Sequence, residues 1–419
     1  MHHFNYRDGR LFAEDVPLAT IAEEVGTPTY VYSQATLTRH FRAFEEAFAG
    51  VDHLVCYAVK ANTNRAVMAL FASLGGGADI VSGGELHRAL AAGVPADKIV
   101  YSGVGKTERE MQDALTAGIL MFNMESLEEL KVLEEVAGRL GRKAPVAIRV
   151  NPDVDARTHP KITTGLARNK FGLPVEDALN AYRMIHQSPH LEVRGISCHI
   201  GSQLVEIKPF ADALERMAAL VQRLRDEGIH PELLDLGGGL GITYHQEEPP
   251  QPDQYAAALK DTVRSLGMKL VLEPGRVLVG NAGILLARVH YTKDTAVKHF
   301  IIADAAMNDL IRPSFYDSFH AVWPVEKDPD RGEVTADLVG PICETGDFLA
   351  RDRTMYDFKR GDLLAVMSAG AYGFAMSSNY NSRPRAAEVL VNGERFAVVR
   401  RRETIEDLMR GESLPDWMG

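Results

Sequence analysis

Between about residue 28 and residue 275 the chain repeats one rhythm: a short apolar or β-branched run, a glycine or polar turn, then a stretch whose apolar residues return every three or four positions. The runs at 53–59, 78–81, 99–102, 120–122, 146–150, 195–200, 233–236 and 270–272 predict eight strands. The stretches between them read as amphipathic helices. Val67, Leu70, Phe71 and Leu74 fall on one helical face, and Phe210, Leu214, Met217, Val221 and Leu224 form another apolar stripe. Ser126 stands three residues ahead of Glu129, the spacing of a capping box, and predicts a helix start there. Alternating units of this number and length predict a closed (β/α)8 barrel over 28–279, with an open doubly wound sheet as the competing arrangement.

Past residue 279 the rhythm changes. The runs at 298–303, 334–339, 363–367 and 387–391 read as strands separated by turns, without long helical stripes, so a β-rich domain over 280–419 is expected. Residues 1–27 are assigned to it, because 4–12 read as a hairpin about Asp8 and Gly9 ahead of the first barrel element.

The 419-residue length fits two domains, and 46% hydrophobic with 25% charged residues is the composition of a globular protein rather than a disordered or fibrous one. A formal net charge of −11, with no run of basic residues, argues against nucleic-acid binding. The three cysteines, Cys56, Cys198 and Cys343, lack metal-ligand spacing, and no metal site is expected. Neither an apolar leader at the N-terminus nor a run of about 18 apolar residues occurs, so a cytoplasmic protein without a membrane partner is expected.

In such a barrel the chemistry sits at the C-terminal ends of the strands. The first run ends at Lys60, where desolvation would favour the neutral amine that condenses with an aldehyde, although a snorkelling surface lysine has the same pattern. The sixth ends at His199, which could serve as a base, a ring stacked on a ligand, or a satisfied core histidine. The seventh runs into Gly237, Gly238 and Gly239, and the eighth into Glu273, Gly275 and Arg276. Loops after strands seven and eight are the usual phosphate site, glycines let backbone N–H groups approach closely, and arginine offers a planar fork of donors. A carboxylate such as Glu273 beside a pyridine nitrogen keeps that nitrogen protonated; an ion pair with Arg276 is the plainer alternative.

The motifs at 57–62, 199–202, 237–239 and 273–276, taken in order, resemble those of the alanine-racemase-like, fold type III decarboxylases that use pyridoxal 5'-phosphate and act on diaminopimelate, ornithine or arginine. The stretches 308–317, 343–347 and 370–373 are similar to the diaminopimelate branch, as are 149–152, 164–166 and 170–172, so the resemblance spans the chain. It implies Lys60 as the lysine that binds the cofactor aldehyde and His199 as the ring-stacking residue. It implies Ser202, Gly237, Gly238, Gly239, Gly275, Arg276 and Tyr372 around the phosphate, with Glu273 at the pyridine nitrogen. Arg276, Arg312, Tyr316, Glu344 and Tyr372 match substrate contacts, and Cys343 the proton donor. The family also implies a homodimer in which Cys343 and Glu344 serve the neighbouring subunit's site.

The implied reaction is decarboxylation of meso-2,6-diaminopimelate to L-lysine and carbon dioxide, the last step of lysine biosynthesis. Arginines suit the carboxylate of the second amino-acid head and Glu344 its ammonium. A related decarboxylase of D-ornithine, D-lysine, L-ornithine, arginine or carboxynorspermidine is the alternative, and a non-catalytic regulatory homologue lies further off. Arg312 capping a loop and Cys343 as a buried hydrophobe are the structural alternatives at those two positions. Residues 153–164, polar and beside the fifth strand's exit, are a candidate mobile loop.

Overall fold

The computed structural model describes residues 2–154 and 170–418, so the 164–166 motif and residues 155–164 of the candidate loop lie outside the described residues. The chain divides into two compact units, 38–278 and 1–37 together with 279–419.

The first unit is the barrel. Its strands are β1 His53–Ala58, β2 Gly77–Ile80, β3 Ile99–Tyr101, β4 Met121–Met124, β5 Ala144–Arg149, β6 Leu191–Ser197, β7 Leu233–Asp235 and β8 Lys269–Leu272. Each pairs in parallel with the next, and β8 closes on β1 through Leu270 with His53, Val271 with Leu54 and Leu272 with Val55. The eight runs therefore form a closed cylinder and not an open sheet. Leu54, Cys56, Val100, Met121, Ala147, Leu233 and Val271 fill its interior, which explains why the runs are nearly continuously apolar: helices cover the outer face while these side chains occupy the inner one.

The helices follow their stripes with small shifts. Phe210, Leu214, Met217, Val221 and Leu224 are all buried on Lys208–Asp226. On Arg65–Ser73 the buried face is Val67, Met68 and Phe71, with Leu70 turned to its edge. Ser126 caps Leu127–Leu140 by accepting from Glu129 N at 3.1 Å, but the reciprocal half of the box is missing. The Glu129 carboxylate instead accepts from Glu125 N at 2.8 Å and from Lys106 Nζ at 3.0 Å, because a buried ammonium competes better for it than a single N–H does.

The second unit is built on one mixed sheet. Its path runs Phe348–Tyr356, Glu333–Val339, His299–Ala303, Gly283–Asp294, Thr29–Ser33, Ala387–Asn392, Arg395–Arg400, and Leu363–Val366 and Val322–Pro324 branch from it. Phe4–Arg7 and Arg10–Ala13 form the antiparallel hairpin, turning through Asp8 at φ 47° and Gly9 at φ 77°. That pair of left-handed residues matches the strand twist. Phe4, Leu11, Leu18, Ile21, Val31, Ile284, Leu286 and Val389 share one core. Thr29–Ser33 pairs with Gly283–Asp294 and Ala387–Asn392, which places it in this sheet; the division between units falls at 37/38, where the hydrophobic pattern predicts 27/28. Among the described residues, no helix is long and apolar enough to cross a membrane.

Candidate active site

The C-terminal ends of the barrel strands carry a cluster of buried charge. Lys60 lies in the single turn that follows β1, and its Nζ meets Asp79 Oδ2 at 2.5 Å. Asp79, at the end of β2, is fully buried while the lysine side chain stays 37% accessible. The amine thus stands at the rim with a buried proton acceptor beside it. Glu85, one turn farther on, accepts from Val81 N at 2.8 Å, and burial raises its carboxyl to about 7.

Two more acids stand across the mouth. Asp235 ends β7 and accepts from Gly237 N and from Asn123 Nδ2, both at 2.8 Å. Burial raises its carboxyl to about 6 against the pull of these donors. Glu273 follows β8. Burial holds it well above the ordinary carboxylate range, with Asp235 and Asp79 adding repulsion and Lys60 opposing them. Ser102 Oγ and Asn123 Nδ2 approach Glu273 Oε1 only at 3.4 Å and 3.5 Å. The Glu273 carboxyl also shares a hydrogen bond with the Asp235 carboxyl, and a cationic N–H partner would offset part of the repulsion among three acids facing one lysine.

His199 follows β6. Its Nδ1 accepts from Gly238 N at 3.2 Å, so the ring's proton lies on Nε2. Enclosure in protein, then the cations of Arg149 and Lys60, hold the imidazole well below its ordinary range, and the ring is neutral. The glycines beside it have steric reasons. A Cβ on Gly238 would lie 2.1 Å from Glu273 O, and one on Gly239, at φ 116°, 2.4 Å from Gly201 O. Gly237, at φ 67°, allows the turn. Gly275 packs the end of β8 against β1, where a Cβ would stand 3.0 Å from Ala58 Cβ.

Arg276 is buried with its fork aimed across this loop, Nη1 on Tyr244 Oη at 2.7 Å and Nη2 on Ser202 Oγ at 3.2 Å. A guanidinium, a hydroxyl and glycine N–H groups form an anion cradle. A lysine, an acid for a ring nitrogen, a flat neutral ring and an anion cradle fit pyridoxal phosphate in donor set and in the room that the glycines leave.

The barrel therefore gathers Lys60, His199, Ser202, Gly237, Gly238, Gly239, Glu273, Gly275 and Arg276. Arg312, Tyr316, Cys343, Glu344 and Tyr372 belong to the second unit. Arg312 and Tyr316 sit on the short helix Arg312–Tyr316, and Ser314 Oγ ties that helix to Gly346 O at 2.6 Å, next to Cys343 and Glu344. Cys343 is exposed, contrary to the buried alternative, and its N–H donates to Asn381 Oδ1 at 2.8 Å. Tyr372 is held at φ 55°, a strained value for a non-glycine residue. Arg312 donates to His320 and does not merely cap a loop.

Sequence reasoning missed Asp79, Glu85, Asn123, Asp235, Tyr244 and Arg149. Asp79 and Asp235 carried a legible signal, a charge at the mouth end of an apolar run. Arg149, the last residue of β5, pairs with Glu125 at 2.7 Å and lies deep enough that this pair is screened little by solvent. Tyr244 has no such signal; only the folded loop brings it to Arg276.

The family model described as "Pyridoxal-dependent decarboxylase, pyridoxal binding domain" matches residues 34–280. The chain is 56% identical over 417 residues to a diaminopimelate decarboxylase of Pseudomonas aeruginosa, covering 99% of each, and 54% identical over 417 residues to one of Vibrio cholerae, again covering 99% of each. Among solved structures, the diaminopimelate decarboxylase of M. jannaschii in co-complex with L-lysine matches with a TM-score of 0.94 at 39% identity, covering 99% of each chain.

Proposed function

The chain belongs to the diaminopimelate decarboxylases within the pyridoxal-dependent decarboxylases, and from that premise we propose that it converts meso-2,6-diaminopimelate to L-lysine and carbon dioxide with pyridoxal 5'-phosphate as cofactor. The observation that carries this reading is the barrel mouth itself, where Lys60 faces buried Asp79 and shares its surroundings with Glu273, His199 and the Arg276 cradle.

When bound, the cofactor supplies an electron sink for the pair left by the departing carboxylate. Lys60 Nζ would hold its aldehyde, with the buried Asp79 Oδ2 hydrogen-bonded beside the amine to orient it. Ser202, Arg276 and the Gly237 to Gly239 loop would hold the phosphate, although the N–H groups of Gly237 and Gly238 already donate to Asp235 and His199; Gly275 gives the end of β8 its close approach, and Tyr372 is a phosphate contact in the family's pattern. Glu273, kept in its acid form by burial, would pass that proton to the pyridine nitrogen and then face the cationic ring as a carboxylate. His199, neutral with its proton on Nε2, would offer its ring for stacking without adding a competing charge. The Cys343 thiol returns a proton to the substrate carbon.

The second amino-acid head distinguishes this substrate from ornithine. In the family's pattern Arg276, Arg312, Tyr316, Glu344 and Tyr372 are the substrate contacts, arginine suiting a carboxylate and Glu344 an ammonium. The working form is a homodimer in which Cys343 and Glu344 act in the partner's site, in the cytoplasm. Incubation of purified protein with meso-diaminopimelate, L-ornithine and L-arginine tests this: carbon dioxide and lysine from the first alone are expected. Faster release from ornithine or arginine would overturn the substrate assignment.

A further inference from the structure

His320 is the most deeply enclosed histidine near the proposed substrate residues, with no accessible surface. Its Nδ1 stands 2.8 Å from Met367 O, and its Nε2 stands 2.9 Å from Arg312 Nη1. A carbonyl oxygen can only accept, so Nδ1 carries the proton. A guanidinium can only donate, so Nε2 offers its lone pair to Arg312. Both assignments agree on one neutral tautomer, and a protonated ring would turn an N–H toward the cation.

The backbone that carries the ring is anchored as well. Met367 N donates to Ala321 O at 2.8 Å, so 320–321 and Met367 are stitched by backbone as well as by imidazole. Arg353 donates to His320 O and stacks on the Phe319 ring at 3.9 Å. Met367 follows the strand Leu363–Val366 and leads through Ser368, at φ 55°, toward Tyr372. One imidazole therefore joins the short helix carrying Arg312 to the backbone that leads to Tyr372.

We propose that His320 is a positioning residue that aims Arg312 at the substrate's distal carboxylate, with its Nε2 lone pair fixing the plane and direction of the guanidinium fork. The inference rests on the reading of Arg312 as a substrate contact. A planar fork binds a carboxylate well only when its orientation is set beforehand, and a long arginine stem leaves that orientation open unless one of its nitrogens is tethered. The neutral tautomer is required because only that form accepts from Nη1.

The test is steady-state kinetics of the full-length holoenzyme with meso-diaminopimelate, beside thermal melts. His320→Asn places an amide N–H near Met367 O but is too short to reach Arg312, whereas His320→Gln restores an acceptor at about the Nε2 position. We expect His320→Asn to raise KM about tenfold or more with kcat within about threefold of the parent, and His320→Gln to recover most of that loss. Should His320→Asn fail to fold, His320→Phe keeps the ring and carries the same expectation. Arg312→Ala should raise KM by at least as much, and adding His320→Asn to Arg312→Ala should raise it no further. An unchanged KM in the His320 variants beside a raised KM in Arg312→Ala overturns the positioning role and leaves the Arg312 reading intact. An unchanged KM in Arg312→Ala overturns that reading itself, and the positioning role with it. Equal losses in the Asn and Gln variants, tracking their melting temperatures, would reduce His320 to a structural part.

Discussion

A single methyl group on Gly238 should cost the enzyme its grip on the cofactor. In Gly238→Ala the new Cβ would lie 2.1 Å from Glu273 O and 3.0 Å from Glu273 C, where carbon contacts normally settle at roughly 3.5 Å. The obstacle is main chain, which cannot rotate aside, so the loop after β7 must draw back from the end of β8 by about an ångström. Glu273 N donates to Gly237 O at 2.8 Å along that seam, and the seam opens with it. Overpacking costs about 1–3 kcal/mol and the lost hydrogen bond about 1 kcal/mol, roughly 2–4 kcal/mol together. The same displacement moves the glycine loop beside Arg276 and the N–H that sets the His199 tautomer. If half of the cost falls on the bound state, pyridoxal phosphate binds about tenfold more weakly, since about 1.4 kcal/mol is tenfold. The assay is removal of the cofactor followed by titration with pyridoxal phosphate, read by absorbance, with melts of both forms. Equal affinity and equal melting temperatures in parent and variant would show that this backbone approach does not shape the cofactor site.

Cys343→Ala should keep the yellow colour of the holoenzyme and slow turnover about a hundredfold, as loss of a proton donor does; single-turnover rates check it, and parental speed removes Cys343 from that role. Glu273→Gln should keep the cofactor but lower kcat about a hundredfold, because a neutral amide cannot hold the ring nitrogen's proton, while the apo form melts at a higher temperature once a buried acid is gone. Asp309, buried in the second unit, has its carboxyl raised to about 7 from 3.8, chiefly by burial. The folded state therefore holds more protons than the unfolded one between these values, so stability falls as pH rises through that window and levels off above it. Asp309→Asn should flatten this slope in melts taken from pH 5 to pH 8, and an unchanged slope would assign the loss to other groups.

Much of the barrel is legible because each strand is a short, doubly buried run closed by glycine or a polar residue, and local pattern suffices for that. The second unit is less so. Gly283–Asp294 is twelve residues long and pairs with Thr29–Ser33, His299–Ala303 and Leu363–Val366, so its sides face different surroundings along its length and no single alternation survives. The sheet that takes up Thr29–Ser33 is decided by partners more than 250 residues away, which local pattern cannot convey. Site residues follow the same division. Lys60, Glu273 and Arg276 stand where a barrel puts its chemistry. The Lys60 partner Asp79 is marked by a charge at the mouth end of an apolar run, whereas Tyr244 meets Arg276 only through the folded loop. His320 lies eight residues beyond Arg312, and its role becomes visible once Met367 is seen to fix which nitrogen carries the proton.

On the proposed reading one amine at the barrel mouth, that of Lys60, holds the cofactor. Reduction of the cofactor-loaded enzyme with borohydride, followed by digestion and mass spectrometry, locates that bond. A pyridoxyl group on Lys60 alone is the expected result, absent in Lys60→Ala; a modification at any other lysine, or none in an active preparation, would contradict the account.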